Sequence, residues 1–340
     1  MDKHVSSLRA DPADSQQGEQ RSGTEIVEYL KGLVVPRWAV QYRRPFSIYN
    51  IELTNNCPFK CVMCARTNNM TRKLGFMEFD VFKKAVDELI VTNPKFVKRK
   101  KTLWLHHFGE SLEHPEFDKF IAYASEHGVR TGLSLNPLML TKPVIHRLLK
   151  AEIGELLVSL DGHDNESFYK IRGVKNAFEK SKRNLLQFIE LNEEGGGKVE
   201  IALHMISFSE NDESHRQIGG FWNSLVGKGI KTFDYRKFTT FDGGAGDVNE
   251  WVGKKNTDES IYAKRKVTCR KPWWRVTIAW DGSVLPCCMD YNKKMILGNI
   301  KDQSLEEIWN GPKMKSLRRE FLSGVVTNPL CKNCDAIKPL

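Results

Sequence analysis

The sequence predicts an α/β protein: a parallel sheet, open or curved into an incomplete barrel, followed by a small Cys-rich unit of mixed α and β structure. Three observations predict it. Strand-like runs alternate with helical segments from Ser47 to Tyr235, Cys269, Cys287, Cys288, Cys331 and Cys334 crowd the C-terminal end, and a hairpin and a short helix lie among those cysteines.

The elements follow in chain order. Residues 1–24, rich in Ser, Gln, Asp and Gly, read as a flexible N-terminal tail, and residues 25–46 as a short helix with a connector. The strand-like runs are Ile48–Leu53, Thr102–His107, Thr131–Leu135, Leu156–Asp161, Val199–Met205 and Lys231–Tyr235. Between the first two, Phe79, Phe82, Val86 and Leu89 recur at helical spacing, as a helix packed on a sheet requires. Residues 47–240 thus form one core, and such folds gather their chemistry at the C-terminal ends of the strands. No strand feeds the Gly195–Gly197 run, which reads as a loop and not as a phosphate cradle. Residues 241–264, where Gly and Asp break the pattern, read as a linker. In residues 265–340, Val276–Pro286 forms a hairpin turning at Asp281–Gly282, and Ser304 caps a short helix to Trp309 with Glu307 three residues on. Trp273, Trp274 and Trp280 are hairpin core or the wall of a pocket.

Composition excludes several classes. Of 340 residues, 40% are apolar and 28% charged, an ordinary globular balance. No apolar run approaches the ~18 residues of a membrane span, and the first 24 residues hold no signal-peptide core. A cytoplasmic protein, neither membrane-bound nor secreted, is expected, in a compartment where thiols stay reduced. No nucleic-acid module is visible. The net charge of +10 favours an anionic small-molecule substrate or partner. Lys95, Lys98, Arg99, Lys100 and Lys101 form a local excess that reads as a solvated turn or a docking patch for an acidic redox protein.

The cysteines carry the chemistry. Cys57-Pro-Phe-Lys-Cys61-Val-Met-Cys64 follows the first strand directly, and thiolates so close can wrap one iron–sulfur cubane and leave an iron open. Structural zinc wants a fourth ligand, and no Cys or His is near in sequence. Cys269, Cys287, Cys331 and Cys334 make a second set, suited to an iron–sulfur cluster or to zinc. Cys288 is surplus: a small buried side chain, an alternative ligand to Cys287, or a thiol that returns a hydrogen atom to a substrate radical.

The CxxxCxxC segment after the first strand of a (β/α)6 pattern resembles the radical S-adenosylmethionine (radical SAM) superfamily. The resemblance implies a partial (β/α)6 TIM-like barrel in which Cys57, Cys61 and Cys64 hold a 4Fe–4S cluster whose open iron chelates SAM. Phe108-Gly109-Glu110 is similar to the family's Gly-Gly-Glu segment for the SAM amino group. Phe108 replaces the first glycine, so only Gly109 and Glu110 carry over. Ser159-Leu-Asp161-Gly162 with Arg172 is similar to the segment that meets the ribose through Ser159 and the SAM carboxylate through Arg172. Ser134 and Asn136 join the same pocket. His106 and His107 alternate along a strand, so one faces the interior as a candidate substrate contact.

Gly298-Asn-Ile, Ser304 to Trp309 and the final CxxC resemble the auxiliary-cluster domains called SPASM and twitch. Here Cys269, Cys287, Cys331 and Cys334 supply one auxiliary 4Fe–4S cluster. The family's chemistry is reductive cleavage of SAM to a 5′-deoxyadenosyl radical, which abstracts a substrate hydrogen atom, with a flavodoxin or ferredoxin as electron donor. The short N-terminal extension and short C-terminal unit favour a small polar substrate (sugar, aminocyclitol or nucleotide sugar) that is dehydrogenated or epimerised. The alternatives are a peptide- or protein-modifying maturase and, more remotely, a non-enzymatic zinc-binding interaction protein, which would have no use for Glu110 and Ser159.

Overall fold

The computed structural model describes residues 46–207, 212–237, 241, 267–332, 334 and 338–339. The expected tail (1–24), the connector up to residue 45 and the linker (241–264, apart from Phe241) lie outside the described residues.

Strands β1 (Ser47–Ile51), β2 (Leu103–Trp104), β3 (Thr131–Leu135), β4 (Glu155–Ser159), β5 (Glu200–Ser207) and β6 (Thr232–Lys237) pair in that order, all parallel. Each coincides with a strand-like run of the sequence. The second strand is shorter than its run, because the chain leaves the ladder before His106, whose carbonyl is taken by the Asn50 side-chain amide at 2.6 Å. Helices α1 (Ala65–Asn69), α2 (Phe79–Thr92), α3 (Pro94–Lys98), α4 (Phe117–Glu126), α5 (Lys142–Lys150), α6 (Asn165–Arg172), α7 (Phe178–Glu194) and α8 (Asp212–Ser224) lie between them. Helix α2 buries Phe82, Val86 and Leu89 as its spacing requires.

The strands are two-faced. Leu103, Leu133, Leu135, Leu156, Val158, Ile201, Leu203 and Met205 join the helices in one continuous core. The alternate positions carry Trp104, His106, Ser134, Ser159, His204 and Asp234, a polar set that a sheet covered by helices on both faces would not bear. The sheet therefore curves around a polar interior. One contact shows the curl: Phe108 after β2 meets Phe241 beyond β6 with ring centroids 5.2 Å apart.

The Cys-rich part comprises β7 (Val267–Thr268), β8 (Arg275–Ile278), β9 (Ser283–Leu285), β10 (Gly298–Asn299), α9 (Leu305–Trp309), α10 (Pro312–Ser323) and β11 (Lys338–Pro339). The hairpin is β8–β9, and the Ser304–Glu307 capping box opens α9. Strand β8 pairs in parallel with β1, so the sheet runs β10-β9-β8-β1-β2-β3-β4-β5-β6. Local periodicity could not announce that pairing, because its partners stand more than two hundred residues apart. Trp280 covers Gly75 and Trp273 packs on the core, whereas Trp274 stands 54% exposed and takes no part in that packing. Lys95, Lys98, Arg99, Lys100 and Lys101 are exposed on and just after α3, in the connection that enters β2 at its N-terminal end. Among the described residues, no helix is long and apolar enough to cross a membrane.

Candidate active site

The loop after β1 carries Cys57, Cys61 and Cys64 onto the C-terminal end of α6. Lys60 and Val62 donate their backbone N–H groups to the carbonyls of Arg172 and Ile171, each at 3.1 Å. Gly173 ends α6 with φ +75°, and a Cβ there would stand 2.8 Å from Lys60 Cβ, so the close seating of the loop depends on glycine. Burial pushes the Cys57 thiol up to about 12 and raises that of Cys64. Loading a metal cluster here must therefore release protons from thiols that stay neutral without it.

Gly109 and Glu110 reach the same loop from the end of β2. The Glu110 N–H bonds the Asn56 carbonyl at 2.7 Å. A Cβ on Gly109 would fall 2.3 Å from the Thr54 carbonyl oxygen, so only glycine permits this approach. The Glu110 carboxylate is 3% exposed and accepts from the backbone N–H groups of Asn136 (3.0 Å) and Leu112 (3.4 Å). Burial outweighs these bonds and pushes its carboxyl up to about 8. Arg172 is ion-paired to Asp161 and lies 3.5 Å from Cys61 Sγ. Two buried donors stand beside these groups with no partner, Asn136 Nδ2 and Arg172 Nε. An acceptor-rich carboxylate with orphaned donors nearby suits a ligand bearing both an ammonium and a carboxylate group.

Ser134 and Ser159 share the polar inner face with His106 and His204. Ser134 opposes Leu157, two residues before Ser159, and Ser159 opposes His204. The Ser134 N–H donates to His106 Nδ1 at 3.1 Å, and burial lowers His106 to about 3. His106 is therefore neutral, with its proton on Nε2, and serves as a hydrogen-bond donor. His107 takes the other direction. Its Nδ1 lies 3.5 Å from Glu52, and its Nε2 lies 2.9 Å from the Cys288 carbonyl oxygen.

The second cysteine set closes a cavity. Cys269, Cys287, Cys331 and Cys334 line it with Lys271 and Leu330, whereas Cys288 does not. Among the described residues no three His, Cys, Asp or Glu side chains are arranged to hold a single metal ion. The Cys287 thiol is held below its ordinary value by a hydrogen bond from Cys288, against the effect of burial, with help from Lys271 and the Met289 N–H. Burial works against the charge of Lys271, yet the thiols of Cys287, Cys288, Cys269 and Cys334 hold it above its ordinary value.

Sequence reasoning missed several residues here. Glu52, fully buried, receives both terminal nitrogens of Arg72 and the N–H groups of Phe108 (3.2 Å) and Trp280 (3.3 Å). Arg72 also donates to the Tyr291 carbonyl at 2.6 Å, tying barrel to Cys-rich unit. His204, Asp234 and Arg236 form a hydrogen-bonded set on the inner face. Alternation of polar residues along β5 and β6 is the signal that could have flagged them.

The chain matches the model of the radical SAM superfamily over residues 51–217 and that of an iron–sulfur cluster-binding (SPASM) domain over residues 269–335. It is 28% identical over 325 residues to the AdoMet-dependent heme synthase of Methanosarcina barkeri, covering 78% of this chain and 83% of that one. It is 22% identical over 295 residues to the S-adenosyl-L-methionine-dependent 2-deoxy-scyllo-inosamine dehydrogenase of Niallia circulans, covering 86% and 94%. Its fold is similar to that of Streptococcus suis SuiB bound to precursor peptide SuiA, with TM-score 0.58 at 15% identity over 94% of this chain and 79% of SuiB.

Proposed function

Because the chain belongs to the radical SAM superfamily and carries a C-terminal auxiliary-cluster domain of SPASM type, we propose that it oxidises a small polar metabolite. The superfamily and the domain bring SAM and two 4Fe–4S clusters. In this reading Cys57, Cys61 and Cys64 hold the first cluster, and Cys269, Cys287, Cys331 and Cys334 the second. When bound, these groups supply one-electron chemistry: cleavage of SAM and removal of a hydrogen atom from the substrate. The chain's own residues do the rest. Glu110 accepts from the SAM ammonium, Arg172 and Asn136 donate to its carboxylate, and Ser159 and Ser134 lie along the inner face for the ribose. His106 offers Nε2–H to a substrate hydroxyl.

The observation that supports a small polar substrate best is the inner face itself, where Trp104, His106, Ser159, His204 and Asp234 offer stacking and hydrogen bonds within one curved sheet. The near full-length match to an aminocyclitol dehydrogenase agrees. A second reading, a heme-type tetrapyrrole, draws on the heme synthase relative. A peptide is the runner-up, since SuiB shares the fold. The test is an anaerobic screen of the reconstituted enzyme with dithionite and SAM against aminocyclitols, nucleotide sugars, carboxylated tetrapyrroles and peptides. Substrate-dependent release of 5′-deoxyadenosine with an oxidised small molecule supports the proposal. Stimulation by peptides alone overturns it.

Two expectations attach to named residues. The empty-site Glu110 titrates near 8 because burial penalises its charge, whereas an ammonium ligand needs the carboxylate. SAM affinity should therefore rise by about tenfold per pH unit up to pH 8, and Glu110→Gln should flatten the profile. Equilibrium binding across pH 6–8 checks this. The sign for the unliganded fold is opposite: the neutral Glu110 stabilises it at low pH, and that contribution is lost as pH rises through 8.

A hydrogen atom returned by Cys288 would give epimerisation in place of oxidation. The Cys288 thiol donates a hydrogen bond to Cys287, which holds its proton in place. If it returns a hydrogen atom, Cys288→Ala should convert an inverted product into an oxidised or abortive one. Unchanged product and stereochemistry remove Cys288 from the chemistry.

A further inference from the structure

We propose that Lys271 tunes the auxiliary cluster: its ammonium, held against Cys287 Sγ, makes that cluster easier to reduce than its four cysteines alone would. The inference deepens the proposed function and rests on its assignment of Cys269, Cys287, Cys331 and Cys334 as the ligands.

The placement starts from a short turn. Lys271 opens the single 3-10 turn Lys271–Trp273 between β7 and β8, two residues after Cys269. Pro272 fixes the backbone there, and its carbonyl accepts the Nε–H of the fully buried Arg318 at 2.9 Å. The Trp273 and Trp274 N–H groups close the turn on the carbonyls of Arg270 and Lys271, each at 3.0 Å. With its backbone pinned in this way, Lys271 lines the same cavity as the four thiols, together with Pro272, Leu317, Phe321 and Leu330.

The ammonium donates to Cys287 Sγ at 3.5 Å. Among the described residues no carboxylate ion-pairs with it. A half-buried ammonium without a carboxylate needs negative charge from another source, and the thiolates of a loaded site face it directly. Reduction adds one more negative charge beside the ammonium, among apolar walls where Coulomb attraction is strong. The reduced form therefore gains more from Lys271 than the oxidised form does. Hydrogen bonds to ligand sulfur act in the same direction, and the Met289 N–H gives Cys287 a second one at 3.3 Å. At the first cysteine set, Arg172 lies 3.5 Å from Cys61 Sγ but is ion-paired with Asp161. Lys271 thus suits the second set to accept an electron that leaves the substrate.

The experiment is a potentiometric titration with dithionite of the reconstituted full-length chain, followed by electron paramagnetic resonance. It is done in the Cys57→Ala background, so that the auxiliary cluster gives the signal. Dithionite supplies one electron per cluster, and no bond is made or broken. Lys271→Gln should lower the potential by about 59 mV or more, a tenfold shift in the one-electron equilibrium. Lys271→Arg, which keeps the charge and the donors, should restore most of that shift. Arg270→Gln, which removes the adjacent but exposed cation, should leave the potential near that of the parent. Iron and sulfide are counted in every sample, and Lys271→Met, which keeps the bulk of the stem, replaces Lys271→Gln if that variant loads poorly. An unchanged potential in a loaded Lys271→Gln or Lys271→Met chain, or an equal shift in Arg270→Gln, overturns the inference and leaves the ligand assignment standing. Absence of iron from the parent Cys57→Ala chain, where about four are expected, overturns the ligand assignment and the inference with it.

Discussion

Cys57→Ala should abolish dithionite-dependent cleavage of SAM, lowering the rate by at least about 10³-fold, while the auxiliary cluster's iron remains bound. The loop that holds Cys57 is packed against α6 through Lys60 and Val62, and neither contact uses the Cys57 side chain. The fold should therefore persist, and the loss should be chemical. Iron and sulfide should fall by about half on anaerobic reconstitution, because only the three-cysteine cluster is removed. Cys331→Ala should give the converse: about half the iron, with residual SAM cleavage but no oxidised product. Retention of SAM cleavage in Cys57→Ala would contradict the assignment of the first loop.

Glu52→Gln should be the most destabilising single substitution of the buried polar network, by about 3–5 kcal/mol. Glu52 and Arg72 have side chains 0% and 5% exposed, and the carboxylate also accepts the Phe108 and Trp280 N–H groups. Removing its charge strands a buried guanidinium whose other partner is the Tyr291 carbonyl. Burial alone would raise the Glu52 carboxyl, but Arg72 and His107 hold it down to about 2. The depressed value sets the pH dependence: the stabilisation is complete above the ordinary carboxylate pKa and is lost as pH falls from about 4.5 toward 2. Thermal melts of wild type and Glu52→Gln at pH 7 and pH 3 test both statements. The gap should narrow at pH 3. A gap equally wide at pH 3 would mean that packing, and not charge, holds the two parts of the chain together.

Much of this was legible in the sequence for a physical reason. Six strands and their helices declare themselves by local alternation, so Leu133 and Leu156 mark the core and Ser134 and Ser159 the interior without any tertiary information. Gly109 and Glu110 stand out through the resemblance of their segment to the family's Gly-Gly-Glu, and the structure adds that a Cβ on Gly109 would fall 2.3 Å from the Thr54 carbonyl oxygen. The pairing of β8 with β1 was not legible, since strands separated by the whole barrel carry no local mark of their partner. Arg172 was expected to meet a ligand carboxylate, and the structure adds its ion pair with Asp161, which only the turn between β4 and α6 brings into range. The inner-face set of His204, Asp234 and Arg236 shows in the sequence only as polar alternation along β5 and β6. Its meaning arises from register, which places His204 opposite Asp234.

Two separate thiolate sets are expected to serve one radical enzyme. Anaerobic reconstitution of the wild-type chain, with iron and sulfide counted and 5′-deoxyadenosine assayed after addition of dithionite and SAM, tests this most directly. About eight iron and eight sulfide per chain, with deoxyadenosine released only when reductant is present, is the predicted result. Bound zinc without sulfide, and no cleavage of SAM, would contradict it.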